Sequence, residues 1–242
     1  MAYTGALDLA TEYLRLHCPD STANQIGICA SSGPKGTSLI SSETVTSYLE
    51  RLASKAPTPG GGAAAAMQVA QGAALVSMVA EFTAGPRFHD VEAEAEQIAK
   101  RARILMRSAL YAAQEDERCF GQLSSAYRMP KDQTVQRSAA IQEATVIASE
   151  PLVSTVEISA VVVTLAQRLL AIGNPSVLSD VAAAAEAARA ATRTAVITLE
   201  MNIAALHEQK HRDRLSDTVR QAMTTIAEAE QLSDQVRAAV TV

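Results

Sequence analysis

The sequence predicts an all-α protein, a bundle of long antiparallel helices. About a fifth of the 242 residues are alanine, the residue of highest helix propensity. The chain is 48% hydrophobic yet only 3% aromatic, with no tryptophan, whereas sheets favour aromatic and β-branched residues. Long apolar-polar segments are separated by short proline and glycine breaks, without strand-like alternation or an internal repeat.

The elements follow in order. Residues 3–17 have the pattern of a short amphipathic helix, with Leu7, Leu9, Tyr13, Leu14 and Leu16 among polar positions. From Cys18 to Ser42 the composition shifts to Ser, Gly, Asn, Thr and Pro, an irregular arm. This divides the chain into an arm, 1–42, and a helical domain, 43–242. Ser42 is the expected N-cap of a helix through Tyr48, Leu49 and Leu52, because its hydroxyl can accept from a free N–H of the first turn. Pro57, Pro59 and Gly60 to Gly62 break the chain, and an alanine-rich helix runs on to about Thr83. A Gly85-Pro86 break precedes a helix from about Asp90 to Tyr127, which Pro130 ends. The next spans about Asp132 to Ile172, with an interruption possible near Pro151, and stops at Gly173-Asn174-Pro175. Two more are expected at about Ser179–Leu206 and Arg212–Val240. Met67, Met78, Met106 and Met129 read as flexible core filling.

Charge and composition narrow the partners. With 21 basic and 26 acidic residues, the net charge of -5 gives no global attraction to phosphate or anionic lipid. Few aromatic rings are available to stack on bases, so no nucleic acid partner is expected. Cys18, Cys29 and Cys119 form neither a disulfide framework nor a zinc ribbon and fit a reducing cytosol. The N-terminus has no basic start or apolar run of a signal peptide, so the expected location is cytoplasmic. The apolar stretch from Ala63 to Thr83 contains Gln68, Gln71 and Glu81, which suits a buried helix better than a membrane span.

The segment richest in chemical meaning is Ser54-Lys55-Ala56-Pro57-Thr58-Pro59-Gly60-Gly61-Gly62-Ala63. Prolines fix the approach, glycines allow close backbone contact, and a helix begins at once. Its free N–H groups can hold a carboxylate or another electron-rich group. A tight turn that only permits helix–helix contact is the other reading of the same residues.

The run LASKAPTPGGGAAAAMQVAQGAALVSMVAEFTAG resembles the formiminotransferase-cyclodeaminase / methenyltetrahydrofolate cyclohydrolase family. The resemblance continues through Glu115-Asp116-Glu117-Arg118-Cys119-Phe120, Tyr127-Arg128-Met129-Pro130-Lys131, Arg137, and Gln142-Glu143. It then takes in Pro151-Leu152, Gly173-Asn174, Ser179-Asp180 and Asn202, covering about residues 43–206. It implies a cyclodeaminase-like helical homodimer acting on folate-bound one-carbon units. The reaction would be hydrolysis of 5,10-methenyltetrahydrofolate, or cyclisation of 5-formiminotetrahydrofolate with loss of ammonia. No metal and no cofactor are implied, the tetrahydrofolate derivative being the substrate. Asp116 and Asp180 match acidic positions and would be catalytic, Asp116 as the acid/base. Pro59, Gly60, Gly61, Gly62, Arg87, Lys131, Arg137 and Asn174 would bind substrate, with Lys131 and Arg137 meeting the glutamate tail.

Each of these residues also has a structural reading. Asp116 lies in a run of charges, Asp180 suits a helix first turn, and Asn174 can end a helix. The sequence departs from the family at several places: Ala63 stands for a serine, and only Arg87 remains of a basic pair. Gln114 replaces an acid and Thr198 an asparagine. These departures keep two alternatives open: a diverged enzyme acting on another small molecule in specialised metabolism, and a non-catalytic binding or scaffold protein. His207-Glu208-Gln209-Lys210-His211 fits H-E-x-x-H with Glu230 as an imaginable third ligand, but its polar flanks mark a chance match.

Overall fold

The structure, a computed structural model, describes residues 40–240. The helix expected at 3–17, most of the arm, Cys18 and Cys29 lie outside the described residues. Among the described residues six α-helices follow one another: α1 Val45–Leu52, α2 Gly61–Glu81, α3 Glu92–Tyr127, α4 Thr134–Ile172, α5 Leu178–Ala205 and α6 Gln209–Val240. Short 3₁₀ turns lie at Ile40–Ser42, Pro86–Phe88 and Pro175–Val177. Among the described residues there is no strand.

The expected all-α class is the observed one, and the long helices begin within three residues of their expected starts. Two local expectations change. Thr44, not Ser42, caps α1: its Oγ1 accepts from the Ser47 N–H at 3.1 Å, while Ser42 closes the preceding turn. Both are hydroxyl residues, and the register of the last 3₁₀ turn decides between them. No interruption occurs at Pro151, which is buried inside an unbroken α4. A mid-helix proline costs about 3 kcal/mol, which the packing of Leu152, Val156, Ile158 and their buried neighbours outweighs. Around it, Ser149, Thr155 and Ser159 donate to carbonyls one turn back, so the buried hydroxyls of this helix are satisfied.

α2 is the centre of the bundle and packs against α3, α4 and α5. Its buried residues, from Gly62 through Ala66, Val69, Ala73 and Val76 to Ala80, lie around most of its circumference. Only a helix surrounded by others can be apolar in this way. α2 and α4 are long and apolar enough to cross a membrane, and 61% of each apolar window is buried inside the bundle.

α5 meets α2 through Ala184, Ala185, Ala188 and Ala191, all fully buried at helical spacing. The two helices run antiparallel, because Gly61 faces Thr194 while Gly72 faces Ala184 and Ala187. At Gly72 the backbones come so close that a Cβ would stand 3.0 Å from the Ala184 carbonyl oxygen. Alanine is therefore abundant for packing as well as propensity. Larger side chains, Leu105 of α3, Leu169 of α4 and Leu232 of α6 among them, complete the same buried cluster.

Polar ties close the ends. Gln142 of α4 donates to the Ala205 carbonyl and accepts from the His207 N–H, holding the α5–α6 turn. Arg168 forks onto Glu94, joining α4 to α3. Gly72→Val should overpack the α2–α5 crossing and cost about 2–3 kcal/mol. Thermal unfolding followed by circular dichroism checks this, with the expected outcome a clearly lowered midpoint and unchanged helix content.

Candidate active site

α2 starts immediately after Gly60, which gives no side-chain cap. The Ala64 N–H already bonds the Gly60 carbonyl at 3.0 Å, leaving the first turn's earlier donors to find partners. Asp116 supplies one from 53 positions away: its Oδ2 accepts from the Ala63 N–H at 2.8 Å. A carboxylate at a helix N-terminus is favoured by both the hydrogen bond and the dipole.

The three glycines of the turn have different reasons to be there. A Cβ at Gly62 would collide with the Asp116 carboxylate, so only glycine admits that side chain. At Gly61 the nearest atom would be the Thr194 methyl at 3.9 Å, and at Gly60 nothing lies within 4 Å. Gly62 is thus the seat of the carboxyl, and Gly60 borders open space. Pro59 is buried behind the turn, joined to Thr58 by a cis peptide bond.

Within the charged run of α3, each residue faces differently. Glu115 and Arg118 pair with each other at 2.7 Å on the outside. Asp116 turns to α2, and Glu117 turns to α1, where Arg51 holds it at 2.7 and 3.2 Å. Arg51 also reaches Glu43 at 3.2 Å. Burial pushes the Asp116 carboxyl up to about 6; the Ala63 N–H opposes the rise and Glu117 adds to it. Tyr48 of α1 is buried among Ile40, Ala63, Ala66, Ala112 and Ala113, and its hydroxyl has no hydrogen-bond partner. Burial, then Glu117, pushes this phenol upward. Burial also drives the Cys119 thiol up to about 11, which leaves it an inert core residue.

The other residues singled out in the sequence lie elsewhere in the chain. Asn174 sits at the far end of α2: its N–H donates to Thr83 Oγ1 and its Nδ2 to the Phe82 carbonyl, while its Oδ1 accepts from the Ser176 N–H. With 21 residues, α2 holds that end roughly 30 Å from Gly61. Arg87 is exposed at the same end, its guanidinium 5.6 Å from the Phe88 ring centre. Asp180 lies in the first turn of α5, roughly 20 Å along that helix from Thr194, the residue facing Gly61. Lys131 is exposed in the α3–α4 turn. Arg137 donates to the Tyr127 carbonyl at 3.2 Å, closing the C-terminal end of α3 about 16 Å beyond Asp116. A single chain therefore brings Asp116 together with Pro59 to Gly62, and with none of the other five.

The sequence reading missed Tyr48, Arg51, Glu117 and Thr194. The Tyr-x-x-Arg spacing on α1 put two polar heads on one helix face, and that was the available signal. The H-E-x-x-H run does not form one helical face, because α6 begins at Gln209 and His207 precedes it. Glu230 lies nineteen residues beyond His211 on the same helix, roughly 28 Å away.

The family described as formiminotransferase-cyclodeaminase matches residues 44–221. The chain belongs to this family. It is similar to the methenyltetrahydrofolate cyclohydrolase of Methylorubrum extorquens, with 33% identity over 198 residues, 80% of this chain and 94% of that protein. It is 27% identical to the formimidoyltransferase-cyclodeaminase of Rattus norvegicus over 81% of this chain and 37% of the rat protein. The fold is that of a solved formiminotetrahydrofolate cyclodeaminase from Thermotoga maritima. That likeness has a TM-score of 0.77 at 20% identity and covers 84% of this chain and all of the other. Within this cyclodeaminase fold, Ala63 occupies the position at which the sequence departs from the expected serine. The bond it makes to Asp116 comes from its backbone N–H and needs no hydroxyl.

Two outcomes follow from the seat of Asp116. Gly62→Ala should displace the carboxyl and cost about 1–3 kcal/mol by overpacking, whereas Gly60→Ala should stay within about 1 kcal/mol; denaturant titration of both compares them. The second concerns pH. A carboxyl whose folded midpoint is raised above its unfolded value favours folding below about 4, and that advantage is lost as pH rises through about 6. Asp116→Asn keeps an acceptor for Ala63 without the buried charge. It should be more stable than the wild type at pH 7.5, by on the order of 1–3 kcal/mol, and should lose that margin at pH 4. Unfolding at the two pH values measures the difference.

Proposed function

We propose that this protein is a folate one-carbon enzyme that hydrolyses 5,10-methenyltetrahydrofolate to a formyltetrahydrofolate, with Asp116 as the proton-transfer group. The observation that carries the reading is the half-buried Asp116 carboxyl at the mouth of an open glycine turn, in a chain one-third identical to a methenyltetrahydrofolate cyclohydrolase over nearly all of that protein.

The chemistry asks little of the protein. The methenyl carbon is electrophilic because its two nitrogens share a positive charge, so a positioned water and a proton carrier are sufficient. Water oxygen bonds to that carbon while the Asp116 carboxylate takes a proton. The resulting carbinolamine opens as one carbon–nitrogen bond breaks, and Asp116 returns its proton to the departing nitrogen. The hydroxyl proton leaves to solvent and the formyl group remains. A midpoint of about 6 places both forms of the carboxyl within reach near neutrality.

That same midpoint favours a second reading, cyclisation of 5-formiminotetrahydrofolate. There the protonated carboxyl would serve the departing ammonia. In either case the reading includes a cytoplasmic homodimer that needs neither metal nor added cofactor and binds neither nucleic acid nor membrane. Ile197 and Met201, 61% and 69% exposed one turn apart on α5, support a partner surface between copies. The substrate-binding roles of Arg87, Lys131, Arg137 and Asn174 and the catalytic role of Asp180 in this reaction belong to the same proposal, and their spread within one chain is a further reason to expect a second copy at the site.

Purified protein mixed with 5,10-methenyltetrahydrofolate should speed the loss of its near-ultraviolet absorbance. Asp116→Asn should lower kcat/KM by about 10²–10⁴-fold. In the wild type, kcat/KM should fall as pH drops through about 6, because the hydrolytic direction uses the carboxylate. No acceleration over buffer overturns hydrolysis, and ammonia release from the formimino substrate then decides for cyclisation.

A further inference from the structure

Glu117 follows Asp116 on α3 and points to α1, where Arg51 grips both of its oxygens. Arg51 Nη2 also reaches Glu43, just ahead of α1. The Glu43 and Glu117 side chains are only 4% and 13% exposed, so water and salt screen this cluster weakly. Tyr48, one turn before Arg51, adds a buried phenol that stays neutral near pH 7.

On its other sides Asp116 meets backbone and shielded groups. α2 faces it with the backbone of Gly62 and Ala63, and α5 brings Thr194 beside the neighbouring Gly61. Glu115 and Arg118 neutralise each other on the outer face of α3, and buried Cys119 keeps its proton. One arginine thus serves two carboxyls, Glu43 and Glu117, with its fork on Glu117, while Asp116 is held by the Ala63 N–H.

We propose that Arg51 and Glu117 are a positioning pair for Asp116, fixing the negative field at its carboxyl and hence its balance between acid and base forms. α1 then belongs to the active site although neither member of the pair acts on the substrate. The catalytic consequence rests on Asp116 being the proton-transfer group; the charge coupling itself does not. The signs are opposite for the two partners. Without Arg51, Glu117 is an uncompensated anion beside Asp116, which then holds its proton to higher pH. Without the Glu117 charge that repulsion vanishes, with Arg51 and Glu43 balancing each other, so Asp116 ionises more readily.

The test is a ¹³C-carboxyl NMR titration of the full chain without substrate, with Asp116 assigned through Asp116→Asn. Arg51→Gln should raise the Asp116 midpoint by about half a pH unit or more, and Glu117→Gln should lower it by a similar amount. Arg51→Lys, which keeps the charge and loses the fork, should return most of the shift. A pair that merely fastens α1 would lower thermal stability in both variants while moving the midpoint in neither, or in the same direction in both; that result overturns the proposal. The pH–rate profiles of methenyl hydrolysis are read on the same proteins. Profiles that follow the carboxyl midpoints support the pair's catalytic role. Midpoints that move under an unmoved profile overturn Asp116 as the proton carrier and leave the coupling standing. Absent hydrolysis overturns the proposed function, and the titration alone then decides the coupling.

Discussion

The arrangement depends on one hydrogen bond, from the Ala63 N–H to Asp116 Oδ2. It joins the first turn of the central helix to the middle of α3 and fills a donor that Gly60, lacking a side chain, cannot cap. A charge-assisted bond of this kind contributes about 1.5–3 kcal/mol. Burial of the carboxyl works against it, and the rise of the midpoint to about 6 shows which effect is larger. The carboxylate therefore does not sit there because it stabilises the fold at neutral pH. The fold holds it there. A group kept in a place costly to its own charge is the arrangement that proton transfer requires.

What holds it is the rigidity of close helix packing. α2 and α5 approach at Gly72 closely enough that a methyl would press on the Ala184 carbonyl, and buried alanines line the rest of their contact. This zipper fixes Thr194 opposite Gly61 and so sets the wall of the turn. At the C-terminal end of α2 Asn174 ties the α4–α5 turn to Phe82 and Thr83 through its Nδ2 and backbone N–H, while its Oδ1 accepts within the turn from the Ser176 N–H. Its amide is thus spent on closing the bundle within the chain. Arg137 is committed in the same manner to the end of α3. α2 is thus held by different means along its length, close backbone contact at its middle and side-chain amide bonding at its C-terminal end.

The helices were legible because proline and glycine punctuate the chain at nearly every turn. The failures were local. Pro151 breaks an isolated helix, yet here tertiary packing overrides propensity; two hydroxyl residues either side of Glu43 left the α1 cap ambiguous by two positions. H-E-x-x-H assumes one helix, and the start of α6 at Gln209 falls inside its reach. At the site, the proline-glycine run and Asp116 could be picked out, but not their contact, because 53 residues separate the partners. Arg51 and Glu117 are 66 apart and carried no signal of pairing. Spacing reports on neighbours along one helix, whereas this site is built between helices. The distance between the Asp116 seat and the Asn174 end was equally hidden, since motif order says nothing of how far a straight helix carries its two ends apart.

The departure at Ala63 bears on how such a site tolerates change. A serine hydroxyl there would be one more donor at the turn, but the bond that seats Asp116 comes from the peptide, which every residue except proline supplies. Gly62 has no such latitude, because the carboxyl occupies the space of its missing Cβ. Thr198 likewise replaces an asparagine one turn beyond Thr194 and spends its hydroxyl on the Thr194 carbonyl. Those substitutions remove hydroxyl and amide groups from the rim of the turn and leave its backbone intact. The seat of the carboxyl and the side chains around it are therefore separable: α2 and α3 fix the first, and the second are free to vary. A proton carrier held by backbone on rigid helices can outlast changes in the groups that select its substrate.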